Sequence, residues 1–184
     1  MPETTIGKLP RSAHITYIDA SFGGDTPVWY RIGKDVEDMS VNLNPQTETK
    51  KNIWDETTVE DNGYEPQIDV DTYYANPDDP ANGAAMFYAK LKNIAMNRLT
   101  GEACKTKYME VLIDKTTGAY DAWVEDCVVK PTSYGGPQGG VAIPYTVYPD
   151  GNREQGTVTI TDKVPTYTPN GSGDEDDGDE DDSN

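Results

Sequence analysis

The chain has 184 residues and a formal net charge of −18, from 33 acidic and 15 basic residues. That is one domain of ordinary length, and far from the basic balance of a surface that grips phosphate. Eight of the acids lie between Asp174 and Asn184, so the rest, with 25 acids and 15 bases, still carries −10, which suits a surface that nucleic acid slides past without sticking.

Hydrophobic residues make up 35% of the chain, or roughly 38% when glycine is counted in place of tyrosine, against about 45–50% in typical globular domains. So small an apolar share points to a fold completed by neighbouring copies, because partners that bind only the folded state pull the folding equilibrium with them. Cys104 and Cys127 are too few for a disulfide scaffold and form no C-x-x-C pair. The opening MPETTIGKLPRSAHITYIDA lacks the apolar core of a signal peptide, and no stretch nears the ~20 apolar residues of a membrane span. The expectation is a protein made and folded in a cytoplasm.

Residues up to Pro10 read as a flexible arm, and His14 to Ile18 as a short strand. Gly23-Gly24-Asp25 with Pro27 turns the chain into Val28, Trp29, Tyr30 and Ile32, again strand-like. Met39, Val41 and Leu43 then alternate with Ser40, Asn42 and Asn44, the period of a half-buried strand. Asn44-Pro45 breaks it, since proline cannot donate to a ladder and restricts the residue before it. Pro45, Gln46, Thr47, Glu48, Thr49, Lys50, Lys51 and Asn52 form a polar, mobile excursion, after which Ile53, Trp54 and Val59 resume an apolar rhythm ending at Gly63-Tyr64-Glu65-Pro66. An excursion too long for a tight turn usually has a job.

Gln67 to Ala75 alternates as a strand, and Asn76-Pro77-Asp78-Asp79-Pro80 is a turn that can cap a helix, with Asp79 as N-cap and Pro80 at its first position. Ala84, Phe87, Tyr88, Leu91, Ile94, Ala95 and Leu99 recur at helical spacing, predicting one amphipathic helix over about 80–100 that stops at Gly101. Four strands follow: Lys107 to Ile113; Ala119 to Lys130 after a turn at Lys115-Thr116-Thr117-Gly118; Val141 to Tyr148, interrupted by Pro144; and Gly156 to Thr161 after a hairpin turn at Asp150-Gly151-Asn152. From Tyr167 onward the chain is read as disordered. The sum is an α+β fold, mainly β: two packed antiparallel sheets, as a β-sandwich or half-open barrel, flanked by the helix, with a long inter-strand arm, over residues 11–166.

The chemistry-bearing residues form no recognisable catalytic pattern. His14 is the one histidine, no G-x-S-x-G accompanies it, and Cys104, Cys127 and His14 match no zinc spacing. The glycines at 135, 136, 139 and 140 precede no helix, so they are no phosphate cradle. Carboxylates are numerous enough to form a glycosidase-like pair, which sequence leaves open. The acidic tail lacks the register of a calcium loop. Neither enzyme chemistry nor a cofactor or metal is expected.

The order IGKDVEDMSVNLNPQTETKKNI, then GYEPQIDVD, then a helix, then DGNREQGTVTITD, over most of residues 25 to 165, resembles the major tail proteins, or tail tube proteins, of long-tailed bacteriophages and prophages of Gram-positive hosts. The resemblance implies hexameric rings whose sheets join into a barrel and stack into a virion tail tube that conducts DNA. It also implies assembly in the bacterial cytoplasm, with tape-measure and tail-terminator proteins as further partners, and places Pro45 through Asn52 against an adjoining ring. The acidic tail departs from that family. Two other classes remain open: another virion component, such as a head-completion or decoration protein, and an acidic DNA-mimic inhibitor.

Overall fold

The computed structural model describes residues 7–74, 83–115, 118–136 and 138–171, and these form ten strands: β1 (His14–Asp19), β2 (Trp29–Asn42), β3 (Pro45–Lys51), β4 (Thr57–Tyr64), β5 (Gln67–Thr72), β6 (Lys105–Leu112), β7 (Tyr120–Pro131), β8 (Tyr145–Pro149), β9 (Glu154–Thr161) and β10 (Val164–Pro169). One helix, α1 (Ala84–Asn97), separates β5 from β6. The fold is α+β and mainly β, and its principal sheet runs β10-β9-β7-β6-β1-β2-β5-β8. The twelve residues of β7 are long enough to serve two partners on one side: Tyr120 to Val124 pair with β9, and Cys127 to Pro131 with β8. The β7–β8 pairing curls six strands into a closed antiparallel ring, so the two expected layers are parts of one continuous sheet.

Every strand of that ring sends side chains into one core, among them Ile18, Tyr30, Val70, Tyr108, Val129 and Val147. Helix α1 adds Phe87, Tyr88 and Leu91, all buried. Phe87 meets the rings of Tyr30 and Tyr145, both with centroids 5.3 Å away, and the Tyr88 hydroxyl hydrogen-bonds Thr72 Oγ1 at 2.8 Å. Alternation then turns the neighbouring residues to the opposite face, where Ile15, Tyr17, Met109, Val111, Ala122 and Val124 make a second core with Val158 of β9. With apolar side chains on both faces, β1 is buried along nearly its whole length.

Several boundaries differ from expectation. The helix ends at Arg98, whose left-handed backbone (φ 51°) lets its N–H reach back to Ala95 and Ile94, so it stops before Gly101. Its first described cap is Gly83 (φ 74°); the expected Asp79-Pro80 cap lies outside the described residues, as do Thr116, Thr117 and residues 1–6 of the N-terminal arm. Pro144 falls outside β8, which starts at Tyr145. The segment from Tyr167, read as disordered, is ordered as far as Pro169: Val164–Pro169 pairs with β9 from Thr161 to Gly156. Pro165 and Pro169 are tolerated because β10 is the edge of the sheet. Gly156 is required opposite it, since a Cβ there would collide with the Thr168 carbonyl and come within 2.6 Å of the Tyr167 ring. Residues 172–184, with the acidic tail, lie outside the described residues.

Candidate functional site

The hairpin that supplies β2 and β5 to the ring does not end where the ring ends. At Asn44 the backbone enters the left-handed region (φ 43°) and the strand swings out, with Asn44 Nδ2 donating to the Glu65 carbonyl at 3.1 Å and Glu65 N donating to the Asn44 carbonyl at 3.2 Å. Gln46 Nε2 also reaches the Asn44 carbonyl, at 3.2 Å. Beyond this clasp β3 and β4 form a separate two-stranded ribbon, in register from Thr47↔Asp61 to Lys51↔Thr57. At about 3.3 Å per residue its seven-residue β3 spans roughly 23 Å.

The structure thus brings Pro45, Gln46, Thr47, Glu48, Thr49, Lys50 and Lys51 together on one strand and places Asn52 just past its end. The excursion expected to be a mobile polar loop is a β-ribbon. It escaped a search for apolar alternation because neither face is buried, so neither face needs apolar residues. Cross-strand pairing is polar: Lys50 Nζ contacts Glu60, with Glu48 3.6 Å away.

Ile53 and Trp54, read as the start of the returning strand, sit instead at the ribbon's tip. Asn52 fixes that tip. Its Oδ1 accepts the Trp54 and Glu56 N–H groups at 2.9 and 3.0 Å, its Nδ2 donates to the Glu56 carboxylate at 2.7 Å, and Asp55 takes a left-handed φ of 61°. This is an Asx turn. It leaves Ile53 93% and Trp54 76% exposed, with Asp55 and Glu56 beside them. Sequence carried a signal for it, an asparagine two residues before an apolar pair's second member and four before a glutamate, the spacing of that turn.

The other chemically notable cluster lies in the barrel wall. Arg153, delivered by the β8–β9 turn (Gly151 φ 92°, Asn152 φ 54°), donates to Glu125 at 2.8 Å, Glu110 at 2.7 Å and the Tyr108 hydroxyl at 2.9 Å, and sits 5.9 Å over the Trp123 ring. Tyr108 donates to Glu125 at 3.0 Å, and His14 Nε2 lies 3.3 Å from Glu110. Burial works to raise the Glu110 pKa, but the hydrogen bonds from His14 and Arg153 outweigh it and hold the carboxyl below its ordinary value. Burial, then the negative charge of Glu110, pushes the Tyr108 phenol far up.

Glu110 and Glu125 are both committed to one guanidinium, an arrangement that braces β6, β7 and the β8–β9 turn. Cys104 and Cys127 are buried free thiols, and burial pushes Cys127 far above its ordinary value, away from thiolate chemistry. Cys104 accepts from Lys130 Nζ at 3.3 Å. Among the described residues no group of three His, Cys, Asp or Glu side chains is placed to hold a metal ion, and no helix is long and apolar enough to cross a membrane.

No family model and no curated protein matches the chain. Among solved structures, it is similar to the sheath/tube terminator of an extracellular contractile injection system (PVC) in the extended state, with a TM-score of 0.49 and 11% identity over 82% of this chain and 98% of that one. The anti-feeding prophage (AFP) tube terminating cap gives 0.49 and 14% over 85% and 99%, and a chain of the six-fold symmetrised AFP baseplate 0.46 and 7% over 81% and 95%. All three of these scores lie below 0.5.

Proposed function

We propose that this chain is a structural subunit of a phage-type tail, whose copies associate into rings that stack into a tube. The observation that carries this reading is the ribbon Pro45–Tyr64: an ordered, polar, two-faced hairpin that leaves the barrel and ends in an exposed tryptophan. A two-stranded ribbon alone is marginal in water, and this one buries none of its side chains in the core of its own barrel. Its tip is held rigid by Asn52 and exposes the kind of aromatic anchor on which interfaces depend. Such an element gains its stability, and its purpose, from another molecule.

A second copy is the partner the design favours. The net charge of −18 opposes capture of DNA, and the two-sided exposure of the ribbon suits insertion between subunits. An acidic lumen lets DNA pass without binding, and the role assigned to Pro45 through Asn52 is contact with an adjoining ring. Tape-measure and tail-terminator proteins would meet the tube at its ends, in a virion tail assembled in a bacterial cytoplasm.

Negative-stain microscopy with sedimentation analysis of concentrated protein tests the reading. Rings or hollow filaments are expected, and Trp54→Ala should suppress them while leaving the circular dichroism spectrum unchanged. A wild-type protein that stays monomeric at every concentration, or tight, salt-sensitive binding to a DNA-binding enzyme in place of self-association, would overturn it.

A further inference from the structure

Helix α1 offers a surface that answers the ribbon tip in both apolar character and charge. Its inner face is spent on the core through Phe87, Tyr88, Leu91 and Ile94. Its outer face carries Met86 and Met96, both exposed, with Ala89 and Asn93 between them at intervals of three and four. Ten residues at about 1.5 Å each separate the methionines by roughly 15 Å. The exposed stripe thus carries a thioether at each end, with a methyl and a short amide side chain between them. Lys90 and Lys92 flank it on either side, and Arg98 stands at the helix end.

Charge makes this face distinctive. From Ala84 to Arg98 the sequence holds three basic residues and no acidic one, in a chain whose net charge is −18. None of the three is in an ion pair among the described residues. The tip has the opposite character: Asp55 and Glu56 are exposed, neither is in an ion pair among the described residues, and Ile53 and Trp54 project beside them. One surface is apolar and basic, the other apolar and acidic, and a single copy does not bring them together.

We infer that the ribbon tip of one copy docks on the outer face of α1 of another, Trp54 lying across Ala89 and Asn93 between Met86 and Met96, with Asp55 and Glu56 facing Lys90 and Lys92. Methionine suits this task, since its thioether adapts to an incoming ring and makes favourable sulfur–aromatic contacts. The lysines contribute twice, by pairing with the acids and by approaching the indole face. Like charges disfavour many wrong landings, because outside α1 and its Arg98 cap the chain holds 33 acidic residues against 12 basic ones. The inference rests on self-association and specifies where it occurs.

Two measurements on the full chain test it. In the first, Ile53→Cys and Asn93→Cys proteins, which keep the Trp54 anchor, are mixed and mildly oxidised. Docking raises the effective concentration of the two thiols, so roughly tenfold more cross-linked dimer is expected than from Ile53→Cys mixed with Thr159→Cys, which is exposed on β9. In the second, Lys90→Glu with Lys92→Glu should weaken association by about tenfold at low salt, and adding Asp55→Lys with Glu56→Lys to the same chain should restore it to within about threefold. If wild-type protein assembles and Trp54→Ala stops it, while cross-linking matches the control and the charge exchange rescues nothing, α1 is not the landing site and self-association stands. If wild-type protein does not self-associate at all, both fall.

Discussion

One hairpin of this chain is built to two different rules. Its root, β2 with β5, alternates Met39 and Val41 against Ile68 and Val70 across the ladder, and its apolar face fills the barrel. Its outer half, β3 with β4, has the same antiparallel pairing and no buried face at all. The switch occurs within two residues, at Asn44 and Glu65, where the left-handed backbone and the reciprocal hydrogen bonds fix the swing. The comparison teaches that hydrogen-bonded order and core-making are separable. The barrel is ordered because it buries side chains; the ribbon is ordered by its ladder, its ion pairs and its Asx-locked tip, and it keeps its apolar groups for something outside.

If that division holds, substitutions in the root and the barrel will cost stability while those in the ribbon will cost assembly. The largest expected effect is at Leu91, fully buried where α1 meets the barrel. Leu91→Ala should destabilise by roughly 2–5 kcal/mol in denaturant unfolding, since it removes apolar atoms and leaves a cavity. A change near zero would show that α1 is not part of the body.

Arg153→Gln comes next. It leaves Glu110 and Glu125, only 12% and 9% exposed, without their shared cation. Breaking a buried pair costs about 3–5 kcal/mol, and because Arg153 itself is half exposed we expect roughly 2–3 kcal/mol. The pH dependence has a definite sign. The Glu110 pKa in the folded protein lies below its ordinary 4.5, so its contribution is fully present above that value and disappears as pH falls through the folded pKa. Wild-type stability should therefore drop on acidification, and Glu110→Gln should flatten that drop; an unchanged slope would remove Glu110 from the cause.

A smaller effect is expected at Gly156, where β9 passes under Tyr167. An added methyl group must push the β10 backbone or the ring aside. Gly156→Ala should cost about 1–3 kcal/mol by overpacking, and hydrogen exchange should quicken in Val164–Pro169 while the barrel amides stay protected.

The parts of the molecule that were readable in its sequence are those where burial writes a pattern. The helix announced itself because Ala84, Phe87, Tyr88, Leu91 and Ile94 face the core, and Asp150-Gly151-Asn152 because its turn needs residues that tolerate positive φ. The ribbon was legible only as a polar insertion, since strands wet on both faces leave no apolar period; the β-prone threonines at 47, 49, 57 and 58 were the remaining hint. Ile53 and Trp54 misled for the complementary reason, being apolar without being buried. In β10, Pro165 and Pro169 hid a strand that only an edge could tolerate. The Arg153 cluster was invisible because Glu110, Glu125 and Arg153 meet through the β6–β7 ladder and a distant turn.

The last prediction separates the two rules within the hairpin itself. Removing 46–52 alone would strip β4 of its partner, so the informative deletion takes Pro45–Tyr64 whole and joins Asn44 to Glu65 through a two-residue Gly-containing turn, which the 3.2 Å hydrogen bond from Glu65 N to the Asn44 carbonyl already prepares. The barrel loses no buried apolar side chain, because none of the ribbon's residues belongs to either core. Its stability should change by less than about 1 kcal/mol, within the range of surface changes, while rings and filaments vanish from micrographs. If the shortened protein unfolds, the ribbon stabilises the body and its order is not held in reserve for a partner. If it folds and still assembles, the contacts between copies lie elsewhere on the barrel.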